Sequence, residues 1–92
     1  MVDRIAVKEN LDSWLENPGW AEFWHQAPSP SCREYIAMQF YASETEEEEA
    51  FSEMDRLEEQ LGVEDLLYLY RRISGPEKGR LAGLIAQRSG NV

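Results

Sequence analysis

Histidine and cysteine each occur once in this chain, as His25 and Cys32. A lone thiol forms no internal disulfide, and a lone imidazole has no second histidine to complete a zinc-type ligand set. Bases are also scarce: nine lysines and arginines face eighteen acids, a net charge of −9. That balance argues against general electrostatic binding to nucleic acid or to an anionic membrane, and it favours partners with basic surfaces. No apolar run approaches the ~20 residues of a membrane-spanning helix. The opening MVDRIAVKEN carries charges throughout, so no signal peptide is expected and the cytoplasm is the expected compartment. Also missing are a phosphate-cradling glycine loop, an EF-hand loop with its central glycine, and a Ser/His/Asp set. No cofactor or metal is expected, and an enzyme is the least expected class.

What is present suits a small helical protein. Apolar residues make up 42% of the 92 positions and aromatics 11%, enough for one modest core. Residues 1–92 read as a single all-α domain, a bundle of four or five short helices. The acidic stretch Glu44–Glu59 holds nine of the eighteen acids against one base, Arg56. Phe51, Met54, Leu57 and Leu61 step through it by three or four beside Ala50, which predicts a helix with an apolar stripe and charged outer faces. Ser43 with Glu46, and Thr45 with Glu48, have capping-box spacing, and Gly62 gives a stop.

Before that stretch, Met1–Val7 reads as an extended lead-in or a first helical turn. Leu11, Trp14 and Leu15 share a face from Asn10, a candidate cap, to about Glu16. Asn17-Pro18-Gly19 opens a second helix in which Trp20, Phe23 and Trp24 align, running to about Gln26. Prolines at 28 and 30 break it. In residues 32–42, Ile36, Met38 and Phe40 alternate as in a strand, yet no partner strand exists, and a helix capped at Ser31 with Glu34 is expected. After Gly62, Leu66, Leu69, Tyr70 and Ile73 predict a helix with Glu64 and Asp65 in its first turn and Arg71 and Arg72 in its last, as the dipole favours. Ser74 and Glu77 have capping-box spacing for a final helix carrying Leu81, Leu84 and Ile85. There Gly79 and Gly83 are expected to allow close helix approach. The terminal Ser89-Gly90-Asn91-Val92 is expected to fray.

The segment DLLYLYRRISGPEKGRLAGLIAQR, through Leu69, Tyr70, Arg71, Ile73, Ser74, Pro76, Glu77, Leu81, Leu84 and Ile85, resembles a helical hairpin of small bacterial and phage regulatory proteins. The chain as a whole looks like short reading frames of bacterial mobile elements. The hairpin resemblance covers about a quarter of the chain. It implies a helix pair and an accessory or regulatory role, with no catalytic residue.

Each candidate site has a plainer counterpart. Acidic runs usually only solvate a helix, and aromatics at helical spacing are usually core. Three tryptophans are more than a chain of this size readily hides, so Trp20 or Trp24 is a candidate anchor. Cys32 near a helix start is expected to be an inert thiol, and His25 a surface side chain. The expected function is a non-enzymatic protein-interaction module that meets a basic protein surface through Glu46, Glu47, Glu48, Glu49, Glu53, Trp20 and Trp24. Two alternatives stand beside it: a nucleic-acid mimic that inhibits a DNA- or RNA-binding protein, and a homodimer built on the C-terminal hairpin.

Overall fold

The computed structural model describes residues 2–90, and the expected fraying at Asn91 and Val92 lies outside them. The described residues form six helices and no strand: α1 (Arg4–Trp14), α2 (Pro18–His25), α3 (Pro30–Thr45), α4 (Glu48–Glu58), α5 (Val63–Arg72) and α6 (Pro76–Arg88). The fold is all-α as expected, with six helices where four or five were expected. The chain divides into two compact units, Met1–Gln60 and Leu61–Val92.

In the first unit, α1, α2 and α4 all pack against α3. Eight residues of α3 are buried: Cys32, Tyr35, Ile36, Ala37, Met38, Phe40, Tyr41 and Ala42. Those positions go nearly all the way round the helix, which explains the strand-like alternation. A helix covered on several sides has no single apolar stripe to display. The residue range expected for this helix is therefore extended at both ends. Ser29, not Ser31, is the N-cap: its Oγ accepts from the Cys32 N–H at 3.1 Å, and Pro30 takes the first helical position.

An aromatic cluster fills the space under α1 and α2. Trp14 stacks on Phe40 with ring centres 4.3 Å apart. Trp20 meets Trp14 edge-on at 5.2 Å and Phe40 at 5.4 Å. Helix α1 begins well before Asn10, because Asp3 caps it by accepting from the Ile5 N–H at 2.9 Å. Asn10 lies inside the helix instead of capping it, and its buried Nδ2 has no hydrogen-bond partner. No apolar stripe marks that start, since Val7 is the only buried residue of α1. Asn17 caps α2 as expected, accepting from the N–H groups of Gly19 and Trp20.

The second unit is the α5–α6 pair. Asp65 reaches back and accepts from the Gly62 N–H at 3.0 Å, so the carboxylate half of a capping box holds the start of α5. Leu66 and Leu69 are buried from α5, and Leu81 from α6. Ser74 does not cap α6. Gly75 takes that place with φ 89°, a conformation that suits glycine, and no side chain caps the helix. The expected close approach at Gly79 and Gly83 is absent: a Cβ at either position would meet nothing within 4 Å. Both glycines are exposed within a helix. Gly79→Ala and Gly83→Ala should therefore each raise stability by roughly 0.5–1 kcal/mol, read as a higher denaturant midpoint.

Candidate functional site

The acidic segment is built differently from the expected single rod. Ser43, Glu44 and Thr45 form the last turn of α3. The Thr45 hydroxyl donates back to the Tyr41 carbonyl at 2.9 Å and accepts from the Glu47 N–H at 3.4 Å, and neither Ser43 nor Thr45 is the N-cap of the next helix. Glu46 then turns the chain with φ 56°, the left-handed conformation that usually falls to glycine. Glu47 is the N-cap of α4, without a side-chain cap bond, and Glu48 and Glu49 begin the helix. A two-residue link thus joins α3 to α4. Competition from the buried α3, which keeps the chain helical through Thr45, displaces both proposed capping boxes.

This geometry makes Glu46 a testable point of strain. A left-handed non-glycine residue costs ~1–2 kcal/mol, and a carboxylate at a helix C-terminus opposes the dipole. Glu46→Gly should accordingly raise the thermal midpoint, with a gain of about 1 kcal/mol.

The start of α4 closes one side of an open cleft of about 520 Å³, lined by Asp3, Tyr41, Glu47, Glu48 and Glu49. Among the described residues, no basic side chain lines it. Asp3 arrives from the cap of α1 and Tyr41 from α3, so three separate segments bring carboxylates and one phenol together. The Tyr41 hydroxyl donates to Glu47 Oε2 at 3.3 Å. Burial is the main cause that pushes this hydroxyl above its ordinary range, and the charge and hydrogen bond of Glu47 push it further. Tyr41 therefore stays a protonated donor at neutral pH.

Helix α4 has two unlike flanks. On one, Glu53 pairs with Arg56, and Arg4 reaches from α1 to Glu53 at 3.3 Å and to Glu34 of α3 at 3.1 Å. The hydrogen bond from Arg56 chiefly holds the Glu53 carboxyl below its ordinary range, and the charges of Arg56 and Arg4 add to it. A folded value below the unfolded one means that the stability Glu53 contributes is complete above the usual glutamate range. It is lost as pH falls through the folded value. Glu53→Gln should leave stability less sensitive to acid in that window, measured as denaturant midpoint against pH. Glu53 is thus half-buried and part of a surface ion cluster with Arg4, Glu34 and Arg56, unlike Glu46, Glu47, Glu48 and Glu49, which are exposed.

On the other flank lies Phe51. The expected stripe placed it inward with Leu57, but the buried positions are Ala50 and Leu57, and Phe51 is 46% exposed. The helix has turned so that the small Ala50 takes the inward place and Phe51 falls beside it. Glu47 and Glu48 lie one turn before Phe51 and Asp55 one turn after, on the same side of the helix. The large apolar residues alone do not show this, whereas the seven-residue spacing of Ala50 and Leu57 does.

The two tryptophans separate. Trp20 is 42% exposed at the rim of the aromatic cluster. Trp24 is half-buried and tied down: its Nε1 donates to the Arg33 carbonyl at 3.1 Å, and the Arg33 guanidinium lies 6.0 Å from its ring centre. Cys32 is fully buried, out of reach of a solvent-borne substrate, while His25 is exposed. Among the described residues, no group of three or more His, Cys, Asp or Glu is placed to hold a metal ion. No helix among them is long and apolar enough to cross a membrane.

No family model, curated protein or solved structure matches this chain. Any functional reading therefore rests on the chain's own geometry.

Proposed function

We propose that the chain is a non-enzymatic protein-interaction module whose acidic edge, at the link from α3 to α4, meets a basic protein surface. The supporting observation is the cleft lined by Asp3, Glu47, Glu48 and Glu49 with Tyr41 and, among the described residues, no basic side chain. A solvated helix face needs no such convergence, since it arises from one helix alone. Here a separate helix cap and a buried tyrosine add to the same edge. The charge is also unevenly spread: residues 1–60 hold fifteen acids and four bases, and residues 61–92 three acids and five bases. Attraction of this kind steers association and selects partners more than it adds affinity.

The test is capture of partners from the host by the native chain and by a variant with Glu46→Gln, Glu47→Gln and Glu48→Gln. Glutamine is preferred to lysine because Glu48 lies in the first turn of α4, where a positive charge would oppose the helix dipole. The native chain should retain a partner that raised salt releases, and the amide variant should lose it with its helical circular dichroism unchanged. Equal recovery by both chains would refute the acidic edge as a binding surface. Displacement of the partner by nucleic acid would assign the mimic role to the same edge.

A further inference from the structure

Among the described residues of the first unit, no helix covers the flank of α4 around Phe51. A single exposed phenylalanine is ordinary on a protein surface and needs no explanation by itself. This one differs in its surroundings. The ring is 46% exposed. Its helix neighbours one turn away are Glu47, Glu48 and Asp55, all exposed, and the half-buried Met54. The one base of α4, Arg56, pairs with Glu53 on the opposite flank. Apolar surface bounded by same-sign charge is the arrangement of an interface anchor with a polar rim.

The geometry points to a basic amphipathic segment as the occupant: an apolar side chain seated on Phe51, with lysines or arginines placed to face Glu47, Glu48 and Asp55. The inference rests on the proposed acidic binding edge and names the chemistry of its partner. Charge complementarity selects this occupant over the others. A second copy docked symmetrically would set these carboxylates against their own equivalents, since a two-fold contact pairs the same patch with itself. Nucleic acid and anionic lipid carry the wrong sign. A purely basic, polar segment would satisfy the carboxylates and leave Phe51 in water.

Two synthetic helical peptides of equal length and charge test the inference. One carries leucines along one stripe among lysines, and in the other serines replace those leucines. Binding to each is measured by fluorescence anisotropy for the native chain, for Phe51→Gln, for Ile5→Gln and for the triple variant Glu47→Gln/Glu48→Gln/Asp55→Asn. Glutamine keeps helix propensity, and Ile5, 70% exposed on α1, is a control for an apolar side chain elsewhere. The leucine peptide should bind the native chain about tenfold more tightly than the serine peptide, the factor that corresponds to burying one or two methylenes' worth of apolar surface. Phe51→Gln should erase that margin, and Ile5→Gln should preserve it. The triple variant should weaken both peptides. Equal binding of the two peptides, or a margin that survives in Phe51→Gln, would overturn the apolar anchor while leaving the acidic edge intact. Unchanged binding by the triple variant would instead overturn the acidic edge, and the anchor with it.

Discussion

Phe40→Ala should cost about 3–5 kcal/mol, the range for removing a large aromatic from a packed core. Phe40 is 3% exposed on α3 and lies face to face with Trp14, their planes 7° apart. Trp20 and Phe23 also approach its ring, at 5.4 and 6.5 Å. The ring thus joins α3 to both α1 and α2. Alanine would leave a cavity bounded by stiff aromatic rings, and such walls close in poorly. Aromatic pairs also contribute beyond the area they bury, by ~0.5–1.5 kcal/mol each. Because small domains are stable by only ~5–15 kcal/mol, the loss is a large share of the total. Urea titration followed by circular dichroism should show a much lower midpoint with an unaltered slope. A midpoint within the spread expected for surface substitutions would mean that the aromatic cluster does not hold the first unit together.

Leu81→Ala should have the largest effect of any substitution on α6, about 2–5 kcal/mol. Leu81 is 1% exposed and is the one buried residue of α6 among those described. Leu84 and Ile85, the other apolar residues of its stripe, are only half-buried. Other restraints on α6 lie near the surface. Lys78 sits 4.6 Å over the Tyr70 ring, and Glu77 pairs with Arg80 within the helix. Interactions at such exposure contribute ~1 kcal/mol or less. The Arg88 guanidinium also donates to the Leu61 carbonyl just before α5, but Leu81 is the one fully buried apolar side chain through which α6 packs on α5. Amide hydrogen exchange should show α6 losing protection first in the variant, ahead of α5. Unchanged protection in α6 would show that the helix is held by something other than Leu81.

The class of fold was legible in the sequence because the helical signals agreed with one another. Asn17-Pro18 opens α2, and Glu64 and Asp65 precede Leu66 and Leu69 in α5 with no competing reading. Element ends were less legible wherever two residues offered the same chemistry. Ser29 and Ser31 both stand near Pro30, and only the packing of α3 decides between them. The acidic stretch shows the same limit more sharply. Ser43 and Thr45 have the right spacing to begin a helix, but burial of Tyr41 and Ala42 keeps that segment in the preceding one. Tertiary packing overrides local propensity there. Alternation at Ile36, Met38 and Phe40 marked a central helix, and α3, not the acidic α4, is the element the first unit is built around.

The site was legible in part. Glu47, Glu48 and Glu49 were identifiable from their charge, and their exposure follows from the helix period. Asp3 and Tyr41 were not identifiable, because their place in the cleft depends on how α1 and α3 meet α4. Phe51 looks like a core residue by its size, but the helix period places it elsewhere. Ala50 and Leu57 lie seven residues apart, close to two full turns, and fix the inward direction. Once that direction is set, Phe51 must lie about a quarter-turn away. Trp20 and Trp24 could be told apart only by the carbonyl that Trp24 reaches.

Residue-resolved NMR of the labelled chain, titrated with the lysine–leucine peptide, tests the central claim most directly. The account predicts that amide shifts concentrate in residues 46–55, with the Phe51 ring signals moving furthest and the Trp20 indole signal unmoved. Shifts spread evenly over the chain, or gathered on α5 and α6, would contradict it.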